Sequence, residues 1–226
     1  LHDLDVHEAR AQIQECRNFV SAFGISSLFS VRNNSHEIEL QKLIQSLTKK
    51  PVTCGSELSS QLDAPRRALT VALNASLIPY IDDLIRALHL ILKELNIHAP
   101  LMMVKGDGSL IKAEVAQKRP VETILSGPAA SVIGASFLSN KTNFIMADMG
   151  GTTTDIAIVS NGAPVVNDKS TLIGKWRPMV NSIRVFSVGL GGDSEARFKG
   201  GIGLSIGPRR VLPMSLLVHN HPEILE

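Results

Sequence analysis

At 226 residues the chain is long enough to bury a substantial core, as one large domain or two small ones. Hydrophobic residues make up 44% and charged residues 19%, a balance that excludes an intrinsically disordered chain. A formal net charge of +2, aromatic residues at 4% and the lack of a basic cluster leave no nucleic-acid surface to build.

Taken in order, residues 6–22 carry Val6, Ala9, Ile13, Cys16 and Val20 at helical spacing, and Gly24 is expected to stop this helix. A short strand is expected over 25–31, then a turn and cap at Arg32-Asn33-Asn34-Ser35. An amphipathic helix over 36–47 and another short strand over 51–54 follow. Helix, strand, helix, strand argues for an α/β sheet of parallel type. His36-Glu37 would open a zinc motif only with a second ligand one turn on, and Leu40 stands there. An acidic first helical turn accounts for the pair. Residues 64–95 form the longest periodic element, with Asp82, Asp83, Arg86, His89 and Lys93 on an exposed face and an apolar remainder expected to be buried. Pro79 should kink or interrupt it. Arg67, near its start, opposes the helix dipole and reads either as solvated or as facing an anionic partner.

Residues 101–104 read as a buried strand. Lys105-Gly106-Asp107-Gly108-Ser109 then turns the chain towards a helix over 110–117, either as a ligand edge or as a tight connector. In the stretch Arg119 to Ala135, Ser126 can cap a helix, Pro128 fits its first turn, and Ala129, Ala130, Gly134 and Ala135 permit close packing. The polar run 139–142 marks the expected domain boundary, dividing the chain into 1–140 and 141–226.

The most informative stretch runs from Asn143 to Val159: an apolar run, Asp148-Met149-Gly150-Gly151-Thr152-Thr153-Thr154-Asp155, and a second apolar run. It reads as strand, glycine turn, strand. Glycines allow close backbone approach and outward N–H groups that cradle phosphate, and threonine hydroxyls add donors. Two carboxylates so close to phosphate are tolerable with a divalent cation between, and magnesium takes one or two carboxylates while keeping most of its waters. An ordinary hairpin with solvated carboxylates is the plain alternative. Further on, Asn161-Gly162 is a two-residue turn signal, with 163–166 pairing back. Residues 173–181 read as a loop and 183–188 as a strand. Gly189-Leu190-Gly191-Gly192-Asp193-Ser194 is a second glycine turn offering N–H groups to an anion, followed by a short helix to Phe198 and an extended segment over 203–211. His219 and His221 would share a face in an extended strand but lack a third metal ligand.

The hairpin closely resembles the phosphate-binding hairpin of the actin-like ATPase superfamily, in the form found in the hydantoinase A and 5-oxoprolinase family. The stretches from Leu28 to Glu37, from Pro65 to Ala75 with Arg67 at the family's arginine, and from Arg119 to Ala135 add to the match, as does the turn at Gly189. Ser109 and Asp193 stand where the family commonly has glycine, and the family's glycine- and proline-rich run is missing beyond Pro208. The resemblance covers residues 6–210 and implies ribonuclease-H-like α/β lobes, the rear half of the first and the start of the second. It implies ATP and Mg2+ as ligands. Gly150, Gly151, Thr152, Thr153, Thr154, Gly191 and Gly192 would hold phosphate oxygens, and Asp148 and Asp155 the waters of magnesium. It implies ATP-driven opening of a cyclic amide or imide (hydantoin, N-methylhydantoin or 5-oxoproline) through a phosphorylated substrate, with no ring-opening base identifiable. The remainder of a longer chain and a second hydrolase subunit would be its partners. The superfamily uses two such hairpins, and this sequence holds one, hence half a site.

Other features set limits. Leu1 in place of methionine reads as a piece of a longer protein or as a processed terminus. Cys16 and Cys54 lack a Cys-x-x-Cys spacing and read as reduced thiols of a cytoplasmic protein. No signal peptide is seen, and no apolar run reaches the roughly 18–20 residues of a membrane span. No P-loop is present, since Lys169 stands where its first glycine would precede Gly174-Lys175. A carboxylase subunit or small-molecule kinase of the same superfamily, a non-catalytic nucleotide-binding module, and a ligand-free α/β domain remain as rival readings.

Overall fold

The computed structural model describes residues 3–167, 172–201 and 203–225; Leu1 and Lys169 lie outside them. The chain forms two compact units, Leu1–Ser126 with Asn167–Ser182, and Gly127–Val166 with Ile183–Glu226.

In the first unit, α1 (Val6–Cys16) starts where the Asp5 side chain accepts the N–H groups of His7 and Glu8. It ends well before Gly24, which lies in β1 (Phe23–Ile25) instead of stopping a helix. A Cβ there would sit 2.7 Å from Val71 Cγ1, so this glycine serves close packing. The strand expected over 25–31 is turned from residue 28 onward. That segment is held by polar bonds, with the Ser27 N–H given to the Glu37 carboxylate. Next come α2 (Ser35–Thr48), β2 (Val52–Cys54) and the short α3 (Gly55–Leu58). β1 and β2 pair in parallel, as expected, with Phe23 opposite Val52. Ile13, Ile25, Leu43, Ile44 and Cys54 form the core between them.

α4 (Ala64–Glu94) runs on through Pro79, so the proline does not interrupt it. One missing N–H costs a single bond, which a helix of 31 residues tolerates. The apolar remainder is only partly buried: Leu90 is 59% and Ile91 50% exposed, while the buried row includes Arg67, Thr70 and Asn74. By length and composition α4 is apolar enough to cross a membrane, correcting the expectation that no run is long enough. A core helix passes the same test, and the buried polar row of α4 bonds to its own unit. β3 (Met102–Val104) pairs antiparallel with β4 (Leu110–Lys112), so residues 105–109 close a hairpin and do not lead into a helix. Asp107 accepts both the N–H and hydroxyl of Ser109, and Gly108 at φ 86° reverses the chain. Helix begins only at α5 (Ala113–Lys118), followed by a 3-10 turn, Pro120–Thr123.

α6 (Ser126–Ser139) leads into the second unit. β5 (Phe144–Met149) and β6 (Thr154–Ser160) form the expected antiparallel hairpin. Asn161 and Gly162, at φ 52° and 78°, return the chain into β7 (Ala163–Pro164). β8 (Val185–Val188) shares the far edge of β6 with β7. The helix expected after Ser194 is instead β9 (Ser194–Lys199), paired antiparallel with β10 (Gly203–Arg210). The tail is helical, α7 (Met214–Asn220), so His219 and His221 share no strand; His221 Nδ1 lies 3.1 Å from Glu223 Oε1.

Candidate functional site

The hairpin tip is shaped from within. Met149 pairs with Thr154, and the Gly150 N–H donates to Thr153 O at 2.9 Å, leaving Gly151 and Thr152 as its two-residue end. The N–H groups of Gly151, Thr152 and Thr153 and the hydroxyls of Thr152 and Thr153 find no partner among the described residues, and all three residues are exposed.

The second glycine turn packs directly onto this tip. The Gly192 N–H donates to Gly150 O and the Asp193 N–H to Gly151 O, both at 2.9 Å, while the Gly191 N–H donates to Ser194 Oγ. A Cβ on Gly191 would lie 2.5 Å from the Gly151 carbonyl, so this position requires glycine because backbone meets backbone. The Thr154 hydroxyl, 6% exposed, donates to Leu190 O at 2.6 Å. Of the donors expected for phosphate, Gly150, Gly191, Gly192 and Thr154 therefore give their hydrogens to the protein. They brace the tip, and the outward set narrows to Gly151, Thr152 and Thr153.

Asp193 stands over the tip, its Oδ2 2.6 Å from where a Gly151 Cβ would be. Its charge is matched by Arg210, whose Nη2 is 2.7 Å from the same oxygen. Asp148 and Asp155 lie directly opposite each other in the register, on one face of the hairpin. Asp148 accepts the Ser131 hydroxyl at 2.7 Å and Asp155 the Ser187 hydroxyl at 2.5 Å. No lysine or arginine pairs with either among the described residues. Opposed like charges repel across an antiparallel pair, and a cation between them relieves that cost. Three outward N–H groups, two unclaimed hydroxyls and this carboxylate pair form a donor set that fits a phosphate with a hydrated magnesium ion. Among the described residues no three His, Cys, Asp or Glu side chains gather as a metal cage.

Sequence reasoning missed the polar interior of the first unit. Arg67 is neither solvated nor facing an anion. It is fully buried and donates to the carbonyls of Gln61, Ser27 and Leu28 at 3.0, 2.8 and 2.9 Å. Glu37, read as an acidic first-turn charge, is also fully buried and accepts the Ser27 and Ser56 N–H groups, both at 2.9 Å. Gly55 lies between them, its Cβ position 3.2 Å from both Arg67 Cδ and Glu37 Oε1. The signal available was the spacing Arg67, Thr70, Asn74, a polar row on an otherwise apolar helix.

Residues 67–215 match the family model described as hydantoinase/oxoprolinase. Caprolactamase subunit alpha of Pseudomonas jessenii is 30% identical over 213 residues, 92% of this chain and 30% of that protein. Acetophenone carboxylase gamma subunit of Aromatoleum aromaticum is 28% identical over 198 residues, 83% and 27% of the two chains. The crystal structure of the ATP-dependent caprolactamase from Pseudomonas jessenii superposes with a TM-score of 0.78 at 30% identity, over 93% of this chain and 31% of that one. The chain thus spans less than a third of the length of these curated relatives. The α/β fold expected from the sequence is the fold observed.

Proposed function

Because the chain belongs to the hydantoinase/oxoprolinase family, we propose that it is a segment of an ATP-dependent hydrolase that opens a small cyclic amide or imide of the hydantoin, N-methylhydantoin or 5-oxoproline type. In this reading residues 1–140 are the rear half of one actin-like lobe and 141–226 the opening of the next. The observation that carries it is the braced hairpin tip, with three N–H groups turned outward beside an opposed aspartate pair.

The N–H groups of Gly151, Thr152 and Thr153, with the hydroxyls of Thr152 and Thr153, hold the phosphate oxygens of ATP. Asp148 and Asp155 hold the hydration shell of Mg2+, each oriented by its serine. Bound there, the ion neutralises charge that develops on the transferred phosphoryl group. Because the tip is held by the turn at Gly191, its donors need no rearrangement when the anion arrives, and preorganised donors of this kind are what stabilise developing charge. The Arg210 guanidinium on Asp193 offsets the charge of a carboxylate that would oppose an anion over Gly151. The two free cysteines fit a reducing compartment, the cytoplasm.

ATP turnover by the full-length protein, with and without hydantoin, 5-oxoproline or acetone, tests the reading. Stimulation by a cyclic amide is expected. The likeness to an acetophenone carboxylase subunit favours a second reading, a carboxylase component, which predicts stimulation by the ketone instead. Binding of ATP without turnover under any addition would leave a nucleotide-binding module.

A further inference from the structure

We propose that the first unit carries a second, preformed site: a polar cavity of about 210 Å3 that binds the amide edge of a small neutral ring, its C=O taken by Lys105 and its N–H by Glu122. Ser59, Ser60, Gln61 and Asn181 also line it. The amide as ligand class rests on the hydrolase reading above; the cavity itself does not.

Its walls are built to hold still. Each of three is fixed to α4 by a side chain with no exposed surface. Arg67 Nη1 donates to Gln61 O at 3.0 Å, Thr70 Oγ1 accepts the Met179 N–H at 2.8 Å, and Asn74 Oδ1 accepts the Val121 N–H at 3.1 Å. The fourth wall is the β3–β4 turn, where the Gly106 N–H donates to Glu122 O at 2.8 Å. A Cβ on Gly106 would fall 2.3 Å from Ile124 O, so only glycine lets Lys105 come this close to Glu122. Burying three polar side chains along one helix is costly beside apolar packing of similar volume. What they secure is geometry, and the geometry they share is this cavity.

Charge and size select the ligand. Lys105 Nζ lies 3.2 Å from Glu122 Oε2 and 3.3 Å from Asp107 Oδ2, and Arg119 Nη1 lies 3.5 Å from Glu122 Oε1. Two cations and two anions sum to zero, so the cluster draws neither an anion nor a cation. A neutral dipole with donor beside acceptor can use the third ammonium proton of Lys105 and a remaining lone pair of Glu122 without parting them. The ring edge of a cyclic amide presents that pair. A volume of 210 Å3 is below the roughly 300–1,000 Å3 of drug-sized sites, which admits one small ring and excludes a nucleotide. Burial works against the Lys105 ammonium, but Glu122 and Asp107 outweigh it and raise its pKa. Asp107 is held below the usual carboxylate value by Ser109 and Lys105, which together exceed the opposing effect of burial. Lys105 and Asp107 are therefore charged at neutral pH.

Calorimetric titration of the full-length protein with 2-pyrrolidinone, hydantoin and 1-methyl-2-pyrrolidinone tests the site. Either of the first two should bind, and the N-methyl compound, which lacks the N–H, should bind about tenfold more weakly than 2-pyrrolidinone, the loss of one hydrogen bond to a charged group. Glu122→Gln should weaken the amide by a similar factor. Ser60→Tyr, which fills the mouth and breaks no hydrogen bond made by a side chain, should abolish it; ATP affinity should hold in both. Unchanged amide binding in both variants, or no binding of either ring at millimolar concentration, overturns the proposal. If the variants lose the amide but no ring stimulates ATP turnover, the cavity stands and the hydrolase reading falls. Stimulated turnover with an unchanged amide KM in both variants gives the reverse.

Discussion

Arg67 directs its guanidinium at three backbone carbonyls supplied by residues 27, 28 and 61, with the Glu37 carboxylate across Gly55. Arg67→Met removes the cation and leaves those acceptors unmatched. The expected loss of about 3 kcal/mol, the cost of leaving buried carbonyls without a hydrogen-bond donor, is read as a lower denaturation midpoint. Arg67→Lys should recover little, because one ammonium cannot span the fork of acceptors. The polar row to which Arg67 belongs was legible in the sequence by its spacing. Its partners were not, since Ser27 lies 40 positions away and only the fold brings it near. Cys54 makes a second residue-scale prediction. Burial, aided by the negative charges of Glu57 and Glu37, pushes its thiol from the ordinary 9.0 up to about 12. The folded state therefore holds this proton more tightly than the unfolded one. The stability that contributes is complete below pH 9 and is lost as pH rises through the window between 9 and 12. At pH 8 iodoacetamide should alkylate partly exposed Cys16 and spare Cys54, as peptide mapping would reveal; equal rates at both would contradict this environment.

At the scale of elements, the hairpin and the turn at Gly191 act as one unit. Gly191→Ala places a methyl 2.5 Å from the Gly151 carbonyl and 2.6 Å from the Thr152 N–H, so the tip must shift. ATP affinity should fall by about tenfold or more, since each misplaced hydrogen bond to a charged group is worth roughly 1.5–3 kcal/mol. Titration of ATP into the variant, beside a melting curve showing it folded, checks this. An affinity equal to wild type would mean the outward N–H groups do not hold phosphate. The β5–β6 hairpin was legible because two short apolar runs flank the glycines, and the turn at Asn161 because its dipeptide favours positive φ. Residues 194–199 were misread as helix because a segment so short takes its form from pairing with β10, and no local pattern records that. The same holds for Leu110–Lys112, drawn into a strand by β3. The task of Gly191 was invisible for a related reason. The sequence marks a place where a side chain is unwelcome, but not whether ligand or backbone occupies the space.

At the scale of the molecule, the second unit leaves an apolar sheet face open. Ile145, Met149, Phe186 and Val188 are 71%, 60%, 57% and 46% exposed, and the strand register puts them on one side. A contiguous apolar face of this kind marks a surface that packs against something. The most direct test of the account is calorimetric binding of ATP to the full-length protein with magnesium and with EDTA, in wild type and in the Asp148→Asn, Asp155→Asn double variant. Wild type should bind with magnesium and weaken by about tenfold or more in EDTA, whereas the variant should be weak in both, because the paired carboxylates are what couple ion to phosphate. A double variant that keeps the wild-type affinity and its full magnesium dependence would contradict the assignment of the hairpin as the site that holds the nucleotide's phosphates.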